Sequence, residues 1–300
     1  MSAPSRTLYD EHLVTDLFNK VRGKSSLAKL SAQTPIPFNG SKEFTFTMDN
    51  EIDIVAENGA KTLGGVTMEA KTIVPIKFEY GARISDEFMY ASEEEQIPIL
   101  QAFNDGFAAK VAKGFDIAAM HGFNPRTNTA STVVGTNNFD SAVTTNVVDY
   151  AAATPDDNLE DAIALITDGD VNGIAMSKVF ASDMAKLTAG TGNNVKLYPE
   201  FAFGAVPENL NGIRMDANVT VNKGPATYPD HAIVGDFANA FKWGFSKQIP
   251  LEVIQYGDPD NTGSDLKGHN QVYLRTEVYL GWCILAPEYF ARIVVPTPGA

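Results

Sequence analysis

The sequence predicts an α+β protein, and three observations carry that prediction. Residues 44–54 and 66–80 alternate apolar and polar side chains with a period of two, the signature of half-buried strands. Residues 93–121 instead repeat their apolar positions at steps of three and four, the signature of a long amphipathic helix. Residues 232–295 return to long strand-like runs. No internal repeat and no linker divides the 300 residues, so the elements are expected to form one intimate assembly.

Residues 1–34 read as an arm. Leu8, His12, Leu13, Leu17 and Val21 give a short amphipathic pattern that Gly23 can end, and Pro35-Ile36-Pro37 then holds the chain extended. Phe44, Phe46, Met48, Ile52 and Ile54 alternate with Thr45, Thr47, Asp49, Glu51 and Asp53, which predicts a first strand. Val66, Met68, Ala70, Val74, Ile76, Phe78 and Tyr80 share one face of a second. The stretch from Asn58 to Gly65 between them is turn chemistry, so the two make a long hairpin. A lone two-stranded hairpin is marginal in water, and this one is expected to rest on another subunit through Phe46, Met48, Ile52, Val66 and Met68.

The helix begins at Ser92, which has capping-box spacing to Glu95, with Pro98 in the first turn. Leu100, Phe103, Phe107, Val111, Phe115 and Ala118 form its apolar stripe, and Gly122 stops it. Residues 123–153 are polar and read as a loop or weak strand region. A second helix follows Pro155, Ile174–Met176 reads as a strand, and Ser177 caps a third helix before the loop Gly190–Asn194. Leu274, Val278, Leu280, Trp282 and Ile284 fall on one side of a long strand, and Phe290 to Val295 form the last one.

Composition excludes several functions. A net charge of −14 opposes direct nucleic-acid binding, which needs Lys and Arg to displace counterions from phosphate. Only the arm, with Arg6, Lys20, Arg22, Lys24 and Lys29 against Asp10, Glu11 and Asp16, is weakly basic. The single Cys283 rules out an intrachain disulfide framework. No apolar run is long enough to span a bilayer, and MSAPSRTLYDEHLV has no apolar core of a secretory signal, so no membrane partner is expected.

No catalytic, cofactor-binding or metal site emerges. Phosphate-loop, zinc-protease and nucleophile-elbow motifs are absent. His12, His121, His231 and His269 share no ligand spacing and are expected to be ordinary surface or interface residues. Cys283 reads as a small buried side chain. The run from Asp258 to Ser264 has the glycine of a calcium loop, but it offers Leu266 and His269 where oxygen ligands are needed, so it reads as a solvated turn.

Several stretches resemble major capsid proteins of tailed bacteriophages with the Hong Kong 97-type fold. These are Val55-Ala56-Glu57-Asn58-Gly59 on the hairpin, Ala82 to Phe88 before the long helix, and Phe115 to Gly122 at its end. Leu210-Asn211-Gly212-Ile213 and Val234-Gly235-Asp236-Phe237 follow in the later half, and the order of all five matches that family.

The resemblance implies a Hong Kong 97-like capsid fold with an N-terminal arm (1–34), an E-loop hairpin and flanking strands (35–85), a peripheral domain with the spine helix (86–150), an axial domain (151–231) and return strands of the peripheral domain (232–300). It implies a structural, non-enzymatic subunit of pentamers and hexamers in an icosahedral shell around double-stranded DNA. Its setting would be the virion, with assembly in the host cytoplasm. Expected partners are other copies, a separate scaffolding protein, a portal and optionally a decoration protein, with DNA packaged but not specifically bound. Some relatives carry a long cleavable scaffolding segment, and about 34 residues before the hairpin leave no room for one. Others cross-link their shells through a lysine, an asparagine and a glutamate, for which Lys61, Asn270 and Glu277 are the nearest counterparts; the expectation is that no cross-link forms. An encapsulin-like nanocompartment shell, with residues 8–21 docking cargo, is the alternative reading.

Overall fold

The computed structural model describes residues 20, 24–190, 194–223 and 230–296. The expected arm helix over 8–21, its stop at Gly23, His12, and Thr191, Gly192 and Asn193 of the polar loop lie outside the described residues. The arm's last part is docked. Helix α1 (Ser26–Leu30) has Ser25 as its N-cap and buries Leu27, Ala28 and Leu30. Five residues cannot hold a helix by themselves, so its stability comes from this packing. Thr34 and Ile36 then donate backbone hydrogen bonds to the carbonyls of Trp243 and Phe245. Any side chain at residue 244 would collide with the Thr34 carbonyl, which is why a glycine stands there.

Strands β1 (Ser41–Met48) and β2 (Val66–Ile73) form the hairpin, antiparallel, with Phe44 opposite Ala70, Phe46 opposite Met68 and Met48 opposite Val66. The pairing is shorter than the alternation predicts. Residues 51–65 are irregular and the ladder closes where Asp49 N–H meets the Gly65 carbonyl. Asp49 itself accepts from the Thr67 hydroxyl, and beyond it Asn50, Gly64 and Gly65 disfavour a continued ladder. Ile52, placed in the first strand by its spacing, therefore lies in the tip. The second predicted strand is also two. Pro75 lacks the N–H that a ladder needs, and beyond it β3 (Ile76–Ser85) leaves the hairpin to pair with a different sheet.

Helix α2 (Glu93–His121) runs as the sequence predicts. The Ser92 N–H donates to the Glu95 carboxylate at 3.3 Å, and Gly122 ends the helix with φ of 69°. Its 29 residues make it about 43 Å long. Its inner face buries Leu100, Phe107, Val111 and Phe115. That face lies on a three-stranded sheet of β3, β11 (Phe241–Ile254) and β12 (Gln271–Ile284), ordered β11-β12-β3. Phe115 packs at 5.2 Å from the Trp243 ring and 5.6 Å from the Trp282 ring, anchoring the first core.

The polar stretch after α2 holds more structure than its composition announces. It contains β4 (Phe123–Asn124), β5 (Thr129–Ala130), the short α3 (Phe139–Ala142) and β6 (Val147–Asp149). Then come α4 (Pro155–Ala164), β7 (Gly173–Met176) and α5 (Lys178–Lys186), capped by Ser177 whose oxygen accepts from Phe180 N–H. A six-stranded mixed sheet joins β6, β13 (Phe290–Val294), β10 (Asp230–Gly235), β7, β9 (Ile213–Ala217) and β8 (Asn209–Leu210) in that order. Strand β10 serves two cores by alternation. Ile233 enters the core under α2, while Ala232 and Val234 join a second core with Ile174, Phe180, Met184 and Phe201. The expected boundary between residues 231 and 232 thus falls inside one strand, because strands β10 and β13 complete the sheet that the middle segment begins.

Candidate assembly site

The hairpin shows its apolar face to solvent. Phe46 is 61% exposed, Met48 74%, Ile52 96%, Val66 55% and Met68 66%. Its polar face is the one that leans on the body. Glu43 pairs with Lys242 at 2.8 Å, and the Lys71 ammonium donates to the carbonyls of Ile284 and Leu285. At the base, Ile73 is buried with Ile36 and Cys283, so the hairpin is rooted at one end only. Cys283 is buried as expected, and burial pushes its thiol pKa up, away from reactivity. A strand pair in water would turn the opposite way if it had to satisfy itself alone.

The structure does not bring the three cross-link counterparts together within the chain. Lys61 is exposed near the tip. Asn270 follows a 3-10 turn in the left-handed region, and its carbonyl accepts from Asp86 N–H. Glu277 is 7% exposed at its side chain and is engaged by Lys77 at 2.7 Å, with the Arg275 guanidinium 3.6 Å away. Lys77, hydrogen-bonded to Glu277 and Glu79, has its pKa raised.

The stretch from Asp258 to Ser264 is a latch. Arg83 on β3 hydrogen-bonds Asp258, Asp260, Thr262 and the Ser264 carbonyl, so its guanidinium already engages the oxygens of this turn. The pairing with Arg83 holds the Asp260 carboxyl down to about 2.

Two buried polar centres went unread in the sequence. Asp116 on α2 is wholly buried and accepts from the Ser25 and Thr220 hydroxyls and from the N–H groups of Ser26 and Leu27. It thereby ties the arm to the long helix. Burial pushes its carboxyl up to about 6, against the pull of those four donors. The second centre corrects the reading of the histidines, since His121 and His231 are both buried. His231 stacks on Tyr150 at 3.8 Å, its Nδ1 3.2 Å from the Ser177 hydroxyl, while His269 is exposed. His121 Nδ1 lies 3.0 Å from the Asp140 carboxylate and Nε2 lies 3.0 Å from the Thr220 carbonyl. Arg292 forks onto Asp230 and also reaches Asp140 at 2.9 Å. His121, Asp140 and Asp230 converge like metal ligands, but the Arg292 guanidinium already supplies the positive charge there. The centre joins α2, α3, β10 and β13, and its chemistry is structural.

The sequence matches a family model described as the phage capsid family over residues 7–295. Among solved structures, a chain of Mycobacterium phage Ogopogo is 32% identical, with a TM-score of 0.78 over 91% of this chain and 92% of that one. A chain of Gordonia phage Cozz is 24% identical, with a TM-score of 0.74 over 91% and 87%. The capsid of an empty GTA particle shares the fold at 15% identity, with a TM-score of 0.64 over 91% and 90%. A search of curated proteins found no match.

Proposed function

Since the chain belongs to the phage capsid family, whose model spans residues 7–295, we infer that its hairpin is the element through which neighbouring subunits hold one another. The protein is a major capsid protein with the Hong Kong 97-like fold, a structural component of a bacteriophage virion. The relatives reported above are phage and GTA-particle chains, which does not favour a nanocompartment shell.

The finer reading is a shell of pentamers and hexamers around packaged double-stranded DNA, held by packing and not by catalysis. One observation supports it above the others. Phe46, Met48, Val66 and Met68 face solvent in the subunit while the hairpin's polar face takes the support of the body. Covering the part of those four side chains that is still exposed contributes about 1–2 kcal/mol each. An exposed apolar ribbon of this size also needs a cover for solubility. Because the ribbon is rooted only near Ile73, it can tilt to suit five-fold and six-fold neighbours. The acidic body keeps packaged DNA off the wall, since its charge repels phosphate. The remaining partners of this reading are a separate scaffolding protein, a portal and optionally a decoration protein, and assembly takes place in the host cytoplasm.

The test is Phe46→Ser together with Met68→Ser, examined by electron microscopy of the purified protein. Folded subunits that no longer close into shells are the expected result. Shells indistinguishable in yield and heat resistance from the parent's would remove the hairpin from the account.

A further inference from the structure

Four Asn-Gly pairs stand in the chain: Asn39-Gly40, Asn58-Gly59, Asn172-Gly173 and Asn211-Gly212. A glycine after asparagine leaves its backbone nitrogen open to the asparagine side chain, since no Cβ stands in the way. The fold treats the four pairs differently. Asn172 is held at both ends of its amide, with Nδ2 donating to Asp236 and Oδ1 accepting from Ala238 N–H at 3.3 Å. Its glycine is buried in β7, paired on both sides by β10 and β9. The other two glycines named first have their N–H groups engaged. Gly40 donates to the Pro37 carbonyl at 2.9 Å, and Gly59 donates to the Ala56 carbonyl at 2.8 Å.

Asn211-Gly212 is the exception. The pair is exposed and makes the turn between β8 and β9, where Leu210 stands opposite Ile213. Asn211 has φ of 52° and Gly212 has φ of 90°, positive at both positions as a type I′ turn requires. Among the described residues, neither the Asn211 side chain nor the Gly212 N–H has a hydrogen-bond partner. A side chain at Gly212 would meet nothing within 4 Å, so no neighbour restrains the turn. Strand β8 is two residues long and lies at the outer edge of its sheet, paired only with β9. Opening the turn therefore breaks few contacts.

We propose that Asn211-Gly212 is a site of spontaneous covalent modification, at which the Gly212 backbone nitrogen closes a succinimide on the Asn211 side chain. The nitrogen gives up its proton to water and attacks Asn211 Cγ. A Cγ–N bond forms as the Cγ–Nδ2 bond breaks, and Nδ2 takes up a proton and leaves as ammonia. A second water then opens the ring at either carbonyl, giving aspartate or isoaspartate. No enzyme, oxidant or cofactor enters the balance. Both products put a carboxylate on the turn, and isoaspartate also adds a methylene to the main chain. The Leu210–Ile213 pair then loses its register, which loosens the outer edge of the sheet and leaves β7, β10 and β13 paired.

Peptide mapping by mass spectrometry tests this on the full chain, aged at mildly alkaline pH. Asn211 should convert roughly tenfold faster than Asn172, whose amide is freed only when the sheet opens. It should also lead Asn39 and Asn58 by roughly threefold, because their glycine N–H groups must first leave an acceptor. In concentrated urea the four rates should draw together, since the bonds that distinguish the sites are gone. Conversion led by any other pair overturns the proposal. So does a lead for Asn211 that persists unchanged in urea, because its cause would then be the flanking residues and not the turn. Asn211→Gly keeps a residue suited to positive φ, and ammonia release from the folded chain should fall by more than half. Undiminished release from that variant overturns the proposal as well.

Discussion

Phe46 and Met68 stand directly opposite each other across the hairpin, and both side chains point into solvent. The pair forms an apolar cross-strand contact of the kind that stabilises sheets, yet most of its surface stays wet. The same ribbon places Glu43 and Lys71 against the protein body. A fold optimised for the lone subunit would reverse those two faces. The arrangement makes sense for a chain whose final state is an assembly.

Asp116 holds the arm on the long helix, and its removal should release it. Asp116→Ala leaves the Ser25 and Thr220 hydroxyls and two backbone N–H groups without their acceptor. The expected cost is about 3 kcal/mol or more, by analogy with other buried groups stripped of a charged partner. Hydrogen exchange should then rise across residues 25–36 before the sheet is affected. The pH dependence follows from the direction of the shift. With its folded pKa raised from 3.8 to about 6, Asp116 favours the folded state fully below pH 4, and this is lost as pH rises through 6. Asp116→Asn cannot titrate and should remove that component of the stability–pH curve. An unchanged slope between pH 4 and 6 would show that Asp116 is not its source.

His121 should make the junction between the two cores sensitive to alkali. Both ring nitrogens face acceptor oxygens, and only the imidazolium has two N–H groups to give them. Burial opposes the charge, but the Asp140 carboxylate outweighs it and the pKa lies above its ordinary value. The charged groups around the ring are Asp140, Asp230 and Arg292; burial pushes the Asp230 carboxyl up to about 7, so the cluster is neutral only while both acids are ionised and His121 is protonated. The stabilisation is therefore complete below the ordinary histidine pKa and is lost as pH rises through the elevated one. Thermal unfolding of the parent should shift downward across that interval, and His121→Gln should start lower and lack the shift. Parallel curves for the two proteins would contradict this.

The long helix was legible because its limits are local. Ser92, Pro98 and Gly122 act on backbone groups within one turn of themselves, and the apolar steps between them need no partner to be counted. The alternation after Val66 was legible too, but the break at Pro75 was read through, although a residue without an N–H was the available signal. The hairpin's apolar face was visible in the spacing, and its end at Met48 was not, because Ile52 and Ile54 keep the period after the ladder has stopped. Asp116, Arg292 and Arg83 could not be recognised at all. Ser25 and Asp116 are 91 residues apart, Arg292 and Asp230 are 62 apart, and Arg83 and Asp260 are 177 apart. A single sequence carries no mark of which acid will be buried beside which donor.

The shell should hold without covalent cross-links. Glu277 would have to accept a proton from an attacking lysine, yet Lys77 already occupies it at 2.7 Å. Lys61 is exposed near the hairpin tip, with no burial around it to promote amide attack. Boiled particles should run as a single band near 32.4 kDa on a denaturing gel. A ladder of larger species that disappears in Lys61→Ala would establish the cross-link with Lys61, Asn270 and Glu277 as its natural candidates.

Shortening the hairpin should separate folding from assembly. Residues 50–64 can be replaced by a short Gly-Ser turn because the ladder closes at Asp49 and Gly65, which remain. Every residue removed is exposed, and none joins Phe107, Phe115, Trp243 or Trp282 in the core under the long helix. The subunit should therefore keep its stability to within about 1 kcal/mol, as expected for changes that touch no buried group. Assembly is a different matter. The deletion takes away Ile52, Ile54 and Leu63, each at least 95% exposed, together with the acids Glu51, Asp53 and Glu57. Shells should fail to close or should break at lower temperature than the parent's, while circular dichroism of the unassembled chain stays the same. Shells as heat-resistant as the parent's, built from a chain with no tip, would mean that the lattice is held elsewhere.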